Sequence, residues 1–96
     1  MPQTNEEKFR IAEGCLGPHD HVRKQTPEMV SHGYEVLSVT FRATEHEDVI
    51  SVDVYADNTF KVGGSTCVST ARFAAYTAAY SRSLAFVAAL GLVPRL

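Results

Sequence analysis

The sequence has little of what usually announces a function. It contains two cysteines, Cys15 and Cys67, and its first residues, MPQTNEEKF, are polar and acidic with no apolar leader core. Reduced thiols in a cytoplasmic chain are therefore expected, rather than a disulfide framework. The net charge is only −2, so no general field draws the molecule toward nucleic acid or an anionic membrane. There is no internal repeat, low-complexity run or linker. The 96 residues read as a single α+β domain over 1–96, and the 45% hydrophobic and 21% charged content argues against disorder.

Acidic residues are also missing from one long stretch. Residues 71–90, ARFAAYTAAYSRSLAFVAAL, hold eight alanines and two arginines but no carboxylate. The stretch is long enough to cross a bilayer, yet Arg82 sits in its middle, where a charge is costly in lipid. A helix of a water-soluble protein is the expectation, with no membrane partner. Such a helix has almost no side suited to water.

The rest of the chain divides by its punctuation. Thr4 to Glu13 reads as a short helix, with Thr4 and Glu7 matching a capping box and Gly14 placed for a left-handed stop. Phe9, Ala12 and Leu16 would form its buried stripe. CLGPHDHVRKQ reads as a loop from its Gly-Pro pair. TPEMVSHG then forms a very short helix, with Thr26 as N-cap, Pro27 at the first position and Gly33 as the stop.

Residues 34–63 change to a two-residue period. Leu37, Val39, Phe41 and Ala43 alternate with polar residues, as do Ile50, Val52, Val54 and Ala56, and Phe60 to Val62 follows as a short third strand. Matching the apolar faces predicts a three-stranded antiparallel meander. A two-residue loop at His46-Glu47 sets Phe41 opposite Val52 and Val39 opposite Val54. A three-residue loop at 57–59 sets Val54 opposite Val62. Ser38, Thr40, Arg42, Ser51, Asp53, Tyr55 and Lys61 then share the other face. Ser65 or Ser69 would cap the long C-terminal helix, and Gly91 would end it. The tail GLVPRL includes LVPR, which also matches half of a thrombin site used in engineered proteins, so Pro94 to Leu96 carry no weight in the functional reading.

The long helix is expected to cover the apolar sheet face with Phe73, Tyr76, Tyr80, Leu84 and Val87, a stripe about 80° wide. Its opposite side would show Ala71, Ala75, Ala78, Arg82, Phe86 and Ala89. One three-stranded sheet cannot bury both sides. The further cover must come from residues 4–32, from a second copy, or from another protein. Self-association through Ala71, Ala75, Ala78, Arg82 and Phe86 is therefore one expectation. The flat polar sheet face, with Tyr55 among hydroxyls and charges, is the second candidate surface, against the reading of a merely solvated face.

Motifs for chemistry are sparse. Cys15, His19 and His21 are soft or borderline metal donors within one loop, with Asp20 between them. Their spacing matches no zinc signature, and a fourth ligand would have to come from Cys67, His32 or His46. Cys67 lies near a predicted helix start, where a thiol pKa can fall, but no base is placed beside it by spacing. GGST lacks the lysine and spacing of a phosphate loop. No cofactor and no catalytic activity are expected. The acidic turn TEHED reads as a solvated hairpin end rather than as a mimic of nucleic acid.

The element order, a helix, a three-strand meander and a helix, is similar to that of double-stranded-RNA-binding domains. That resemblance implies phosphate contacts from the start of the last helix, where this sequence has GGSTCVSTAR and a single arginine. The sequence therefore favours a small non-catalytic protein that binds another protein, an adaptor or an inhibitor that occludes a larger target. Phage or mobile elements encode small inhibitors of host machinery with this profile. The partner-binding candidates are Arg42, Asp53, Tyr55, Lys61, Arg72 and Arg82, and the chain is expected to form a homodimer. The alternatives are a nucleic-acid-binding module using Arg72, Arg82 and Lys61, and a zinc site at Cys15, His19 and His21.

Overall fold

The computed structural model describes residues 4–42, 49–64 and 73–95, with side chains in the last stretch from Tyr76 onward. The elements are α1 (Asn5–Gly14), β1 (His21–Lys24), α2 (Pro27–Ser31), β2 (Leu37–Arg42), β3 (Val49–Val54), β4 (Thr59–Gly64), α3 (Phe73–Leu90) and β5 (Val93–Pro94). The class is α+β, but the sheet has five strands in the order β1-β2-β3-β4-β5 rather than three. The first four are antiparallel neighbours, and β5 runs parallel to β4.

The two extra strands come from segments that carry turn signals. HVRK follows a Gly-Pro loop and has one apolar residue, Val22, so alternation is hardly visible in it. It becomes a strand because its backbone finds an edge, pairing Val22 with Val39 and Lys24 with Leu37. Val93 and Pro94 likewise dock on the other edge, where the Val93 N–H donates to the Asn58 carbonyl at 3.1 Å and the Arg95 N–H to the Phe60 carbonyl at 2.9 Å. Proline is tolerated in β5 because an edge strand leaves one side unpaired.

Both hairpin registers differ from expectation by two residues. Phe41 faces Ile50, Val39 faces Val52, and Leu37 faces Val54. Val52 faces Val62, and Val54 faces Phe60. A shift of two leaves every side chain on its expected face, which is why the burial pattern survives the error. In the second hairpin the loop is 56–58 rather than 57–59. The Tyr55 N–H donates to the Thr59 carbonyl at 2.9 Å, and Asn58 takes the left-handed conformation at φ 64°. That is a three-residue loop of the type-I-plus-bulge kind, for which asparagine suits the last position. The first hairpin's loop at His46-Glu47, with TEHED, lies outside the described residues, as do Ala43, Ser65, Cys67 and Ser69.

The helix ends follow local chemistry. Thr4 accepts from the Glu7 N–H at 3.1 Å, and Thr26 from the Met29 N–H at 3.3 Å. Gly33 and Gly91 hold φ of 92° and 62°. The bonds from Leu92 N–H to the Val87 carbonyl and from Gly91 N–H to the Ala88 carbonyl close a Schellman cap on α3. Gly14 does not take the left-handed form. It ends α1 in helical geometry, and Cys15 follows at φ −98° as the cap.

The core lies between the sheet and the two longer helices. Leu37, Val39, Phe41, Ile50, Val52 and Val54 are buried, and they meet Ala12 from α1 and Ala79, Phe86 and Leu90 from α3. Of the expected stripe on α3, Tyr76 and Val87 pack against the core, the Phe73 side chain lies outside the described residues, and the rest is rotated away from the sheet. Tyr80 and Leu84 are about half exposed, at 49% and 53%, whereas Phe86 is fully buried with its ring 6.0 Å from that of Phe41. Expecting the bulkiest stripe to face the sheet ignored the size of the sheet's own side chains. Small residues at Ala79 and Ser83 let α3 approach closely, and Phe86 and Leu90 supply the volume. The Ser83 hydroxyl is satisfied by donating to the Tyr80 carbonyl at 2.6 Å. Residues of α1, with Phe9, Ile11 and Leu16 against the cluster, close the core beside α3.

Candidate interaction face

The outer face of the sheet is fixed by alternation. Because the core takes Leu37, Val39 and Phe41 from β2 and Ile50, Val52 and Val54 from β3, the residues between them point the other way. Register then aligns them across four strands in two rows. One row is His21, Thr40, Ser51 and Gly63, and the other is Arg23, Ser38, Asp53 and Lys61. In the second row the outer strands carry the long cations Arg23 and Lys61 around Ser38 and Asp53; in the first, His21 and Gly63 flank Thr40 and Ser51. The centre is a shallow depression of about 300 Å³ lined by His21, Arg23, Ser38, Thr40 and Ser51. Among the described residues, no side chain from α1, α2 or α3 lines it.

Hydrogen bonds set the polarity of this surface. The Ser38 hydroxyl donates to Asp53 Oδ1 at 2.7 Å, holding the one carboxylate of the rows in place. Arg23 reaches Glu35 at 3.2 Å while remaining largely exposed, so its charge faces water on the other side. Lys61 is exposed opposite Asp53. No described residue stands within 4 Å of where a Cβ would sit on Gly63, which leaves a flat shelf at that end.

Of the expected partner-binding residues, the structure brings Asp53 and Lys61 together on this face, with half-buried Arg42 at the end of β2 on the same side. Tyr55 is not open to a partner in the way expected. The Arg95 guanidinium lies 4.1 Å from its ring centre, and Arg95 also donates to Thr59 at 3.0 Å and pairs with Asp57 at 3.4 Å. The tail that carried no weight in the sequence thus covers the one aromatic of that face. Arg72 lies outside the described residues.

Arg82 is not an available cation. It binds Asp20 in two places, Nε to Oδ2 at 2.7 Å and Nη2 to Oδ1 at 3.1 Å, and Nη2 also donates to the Arg42 carbonyl at 3.2 Å. The Asp20 side chain is completely buried and accepts two further bonds, from the Gly17 N–H at 2.7 Å and the Arg42 N–H at 2.8 Å. Burial pushes this carboxyl up. Its hydrogen bonds from Arg82, Arg42 and Gly17, with the Arg82 charge, outweigh that and hold it below the usual carboxylate range. The HDH segment, read as part of a loop, therefore contains the main polar anchor of the fold. Only the Gly17 bond is local; the partners that make it an anchor are 22 and 62 residues away, so no local signal shows it.

The helix surface proposed for self-association also changes membership. Phe86 lies in the core and Arg82 is engaged by Asp20, so neither is on an open side. Ala71 and the Ala75 side chain lie outside the described residues. Ala78 is exposed, with Ser81, Ala85, Ala88 and Ala89 on the same side and Tyr80 and Leu84 along its border.

The metal candidates do not converge. His19 and His21 are exposed, Cys15 is half-buried against the core, and Asp20 is taken by Arg82. Among the described residues there is no group of three or more His, Cys, Asp or Glu side chains that could hold a metal ion. No helix among them is long and apolar enough to cross a membrane. A hollow of about 390 Å³ lies between α1, α2 and the end of β1, over Val30 and Val36, and its Lys24–Glu6 ion pair neutralises itself at 3.0 Å. Comparison with protein-family models, with curated proteins and with solved structures finds no match, so the geometry alone carries the functional reading.

Proposed function

We propose that the protein is a small non-catalytic interaction module, an adaptor or inhibitor that occludes part of a larger macromolecule. The observation that supports this most is the open outer sheet face. It presents two aligned rows of hydrogen-bonding and charged side chains on strands held rigidly by the core behind them. Antiparallel sheets often leave such a face solvated, so polarity alone would not suffice. The ordered pattern of hydroxyls beside Arg23, Asp53 and Lys61, each held at a fixed spacing by the strands, is what suits recognition.

A photo-crosslinking residue at Thr40 tests the reading against one at Glu13 on α1. The expected result is one recurring adduct from Thr40 and none from Glu13. Adducts from Glu13 but not Thr40 would contradict it.

A homodimer forms the second part of the proposal. Its support is the exposed side of α3, where Ala78, Ser81, Ala85 and Ala88 lie beside Tyr80 and Leu84 with no charge among them. Sedimentation of the wild type and of Ala85→Glu tests it. The dimer should dissociate in the variant, and a monomeric wild type at high concentration would remove this part.

The alternative of a nucleic-acid module is less well supported. Of its three expected cations, Arg82 is bound to Asp20 and Arg72 lies outside the described residues, which leaves Lys61. The electrostatic term that dominates phosphate binding needs several such contacts.

A further inference from the structure

We infer that the free edge of β4 takes an extended, uncharged segment of a protein partner, added to the sheet as a further strand. This contact is separate from the outer face. β5 covers only half of the edge. It pairs with Thr59 and Phe60 and reaches no further, its last bond running from the Arg95 N–H to the Phe60 carbonyl. Alternation decides what the rest of β4 offers. The Tyr55 N–H donates to the Thr59 carbonyl, so Lys61 and Gly63 exchange bonds with Asp53 and Ser51. Val62 and Gly64 therefore turn their backbone N–H and C=O groups away from β3. Among the described residues, nothing bonds to those groups. Exposed edges usually carry a proline or a charge that discourages pairing, and Val62–Gly64 has neither.

The core side of the same edge is one strand short as well. Val62 points to that side, opposite fully buried Val52, yet it is 61% exposed. α3 packs over β2 and β3 rather than over β4. Its Tyr76 and half-exposed Tyr80 overhang the edge instead. A cleft of about 260 Å³ lies between them and the Val62–Gly64 end of β4, and no described residue lining it is charged.

Together these features specify the occupant. A helix has no free backbone groups along its side to pair with the edge, whereas a strand presents them at every second residue. Laid antiparallel and in line with β5, a strand bonds to the edge through its residues opposite Val62 and Gly64. Their side chains turn in toward the cleft. Those side chains are apolar, because a charge there would lose water and find no partner. The residue between them faces outward over Gly63, which has no side chain of its own. An aromatic ring suits that place, as it does beside other edge glycines.

NMR titration of the full chain with a capped peptide, serine–valine–tyrosine–valine–serine, tests the inference. The controls are the same peptide N-methylated at both valines or at the tyrosine. Valine methylation removes the donors that face β4, and tyrosine methylation removes one that faces away. The parent peptide should shift Val62, Gly63, Gly64 and Tyr80. Valine methylation should weaken it at least about tenfold, the scale of two backbone bonds, and tyrosine methylation should leave it nearly unchanged. Val62→Pro removes an edge donor without cutting the ladder to β3, and should abolish binding. Val62→Lys, a charge at an exposed position, should weaken it and guards against a folding defect in the proline variant. No binding at millimolar peptide, equal loss from both methylations, or unchanged binding by Val62→Lys would each overturn the inference. Two results on the free chain would do the same. Shifts at Val62–Gly64 that grow with protein concentration would make a second copy the occupant, and slow hydrogen exchange of the Val62 and Gly64 amides would show the edge already taken. A Thr40 crosslink obtained alongside any of these results would retain the outer-face reading.

Discussion

Arg82 and Asp20, 62 residues apart, form a two-point ion pair whose carboxylate is completely buried. It ties α3 to the loop after α1, and through the Arg42 backbone to the end of β2. Removing one partner of a buried pair strands the other, at a typical cost of about 3–5 kcal/mol. Asp20→Ala should therefore lower stability by about 3 kcal/mol or more, as read by urea melts. A change within about 0.5 kcal/mol, the range of ordinary surface substitutions, would contradict the role given to this contact.

The same pair predicts an acid limb. Asp20 has a folded-state pKa below its ordinary value of 3.8. Its contribution is thus fully present above that ordinary value and is lost as pH falls through the lower folded-state value. Melting temperatures of the wild type should drop across that acid range. Asp20→Asn, less stable at neutral pH, should show a shallower drop, and parallel curves would argue against the assignment.

Gly17 is required by contact rather than by backbone strain. A Cβ there would stand 2.9 Å from Arg82 Nε and 3.1 Å from Asp20 Oδ2. Gly17→Ala should push the guanidinium off the carboxylate and cost about 1–3 kcal/mol, the usual scale for overpacking. Combined with Asp20→Ala the two losses should be less than additive, since they break one contact.

Two side chains on α3 separate the observed packing from the expected one. Phe86→Ala should cost about 3–5 kcal/mol, because the ring is buried against Phe41. Leu84→Ala should cost less than about 1 kcal/mol, because half of that side chain is already in water. The reverse order would restore the stripe expected from the sequence.

Lys8 lies only 2% exposed on the inward side of α1. Burial lowers its pKa, and the Asp57 charge offsets only part of that. A lysine depressed in the folded state is a cost wherever it must stay protonated, below its folded pKa. Lys8→Met should therefore be more stable than the wild type at neutral pH. The advantage should shrink as pH rises toward 10.5, the ordinary lysine value, where both states lose the proton. Calorimetry across that range would show it, and a less stable variant at neutral pH would refute it.

Much of this architecture was readable before any coordinates. Period-two alternation located β2 and β3 and their buried faces, and Thr4, Thr26, Gly33 and Gly91 marked helix ends through chemistry confined to one turn. The misses were non-local. β1 and β5 have too few apolar residues to alternate and exist because an edge was available. The second hairpin's register depended on one turn residue, Asn58. Asp20 resembled any polar loop residue, since apart from Gly17 its donors come from distant segments. The candidate face was half visible: Asp53 and Lys61 were named, but His21 and Arg23 join it only once β1 is seen to pair with β2.

The most direct check on the central claim is a ¹H–¹⁵N NMR titration of the full chain with the partner captured by the Thr40 crosslink. Shifts should concentrate at His21, Arg23, Ser38, Thr40, Ser51 and Lys61 and be small along α3. Shifts centred on Ala78, Leu84 and Ala88, with the sheet rows unmoved, would contradict the account.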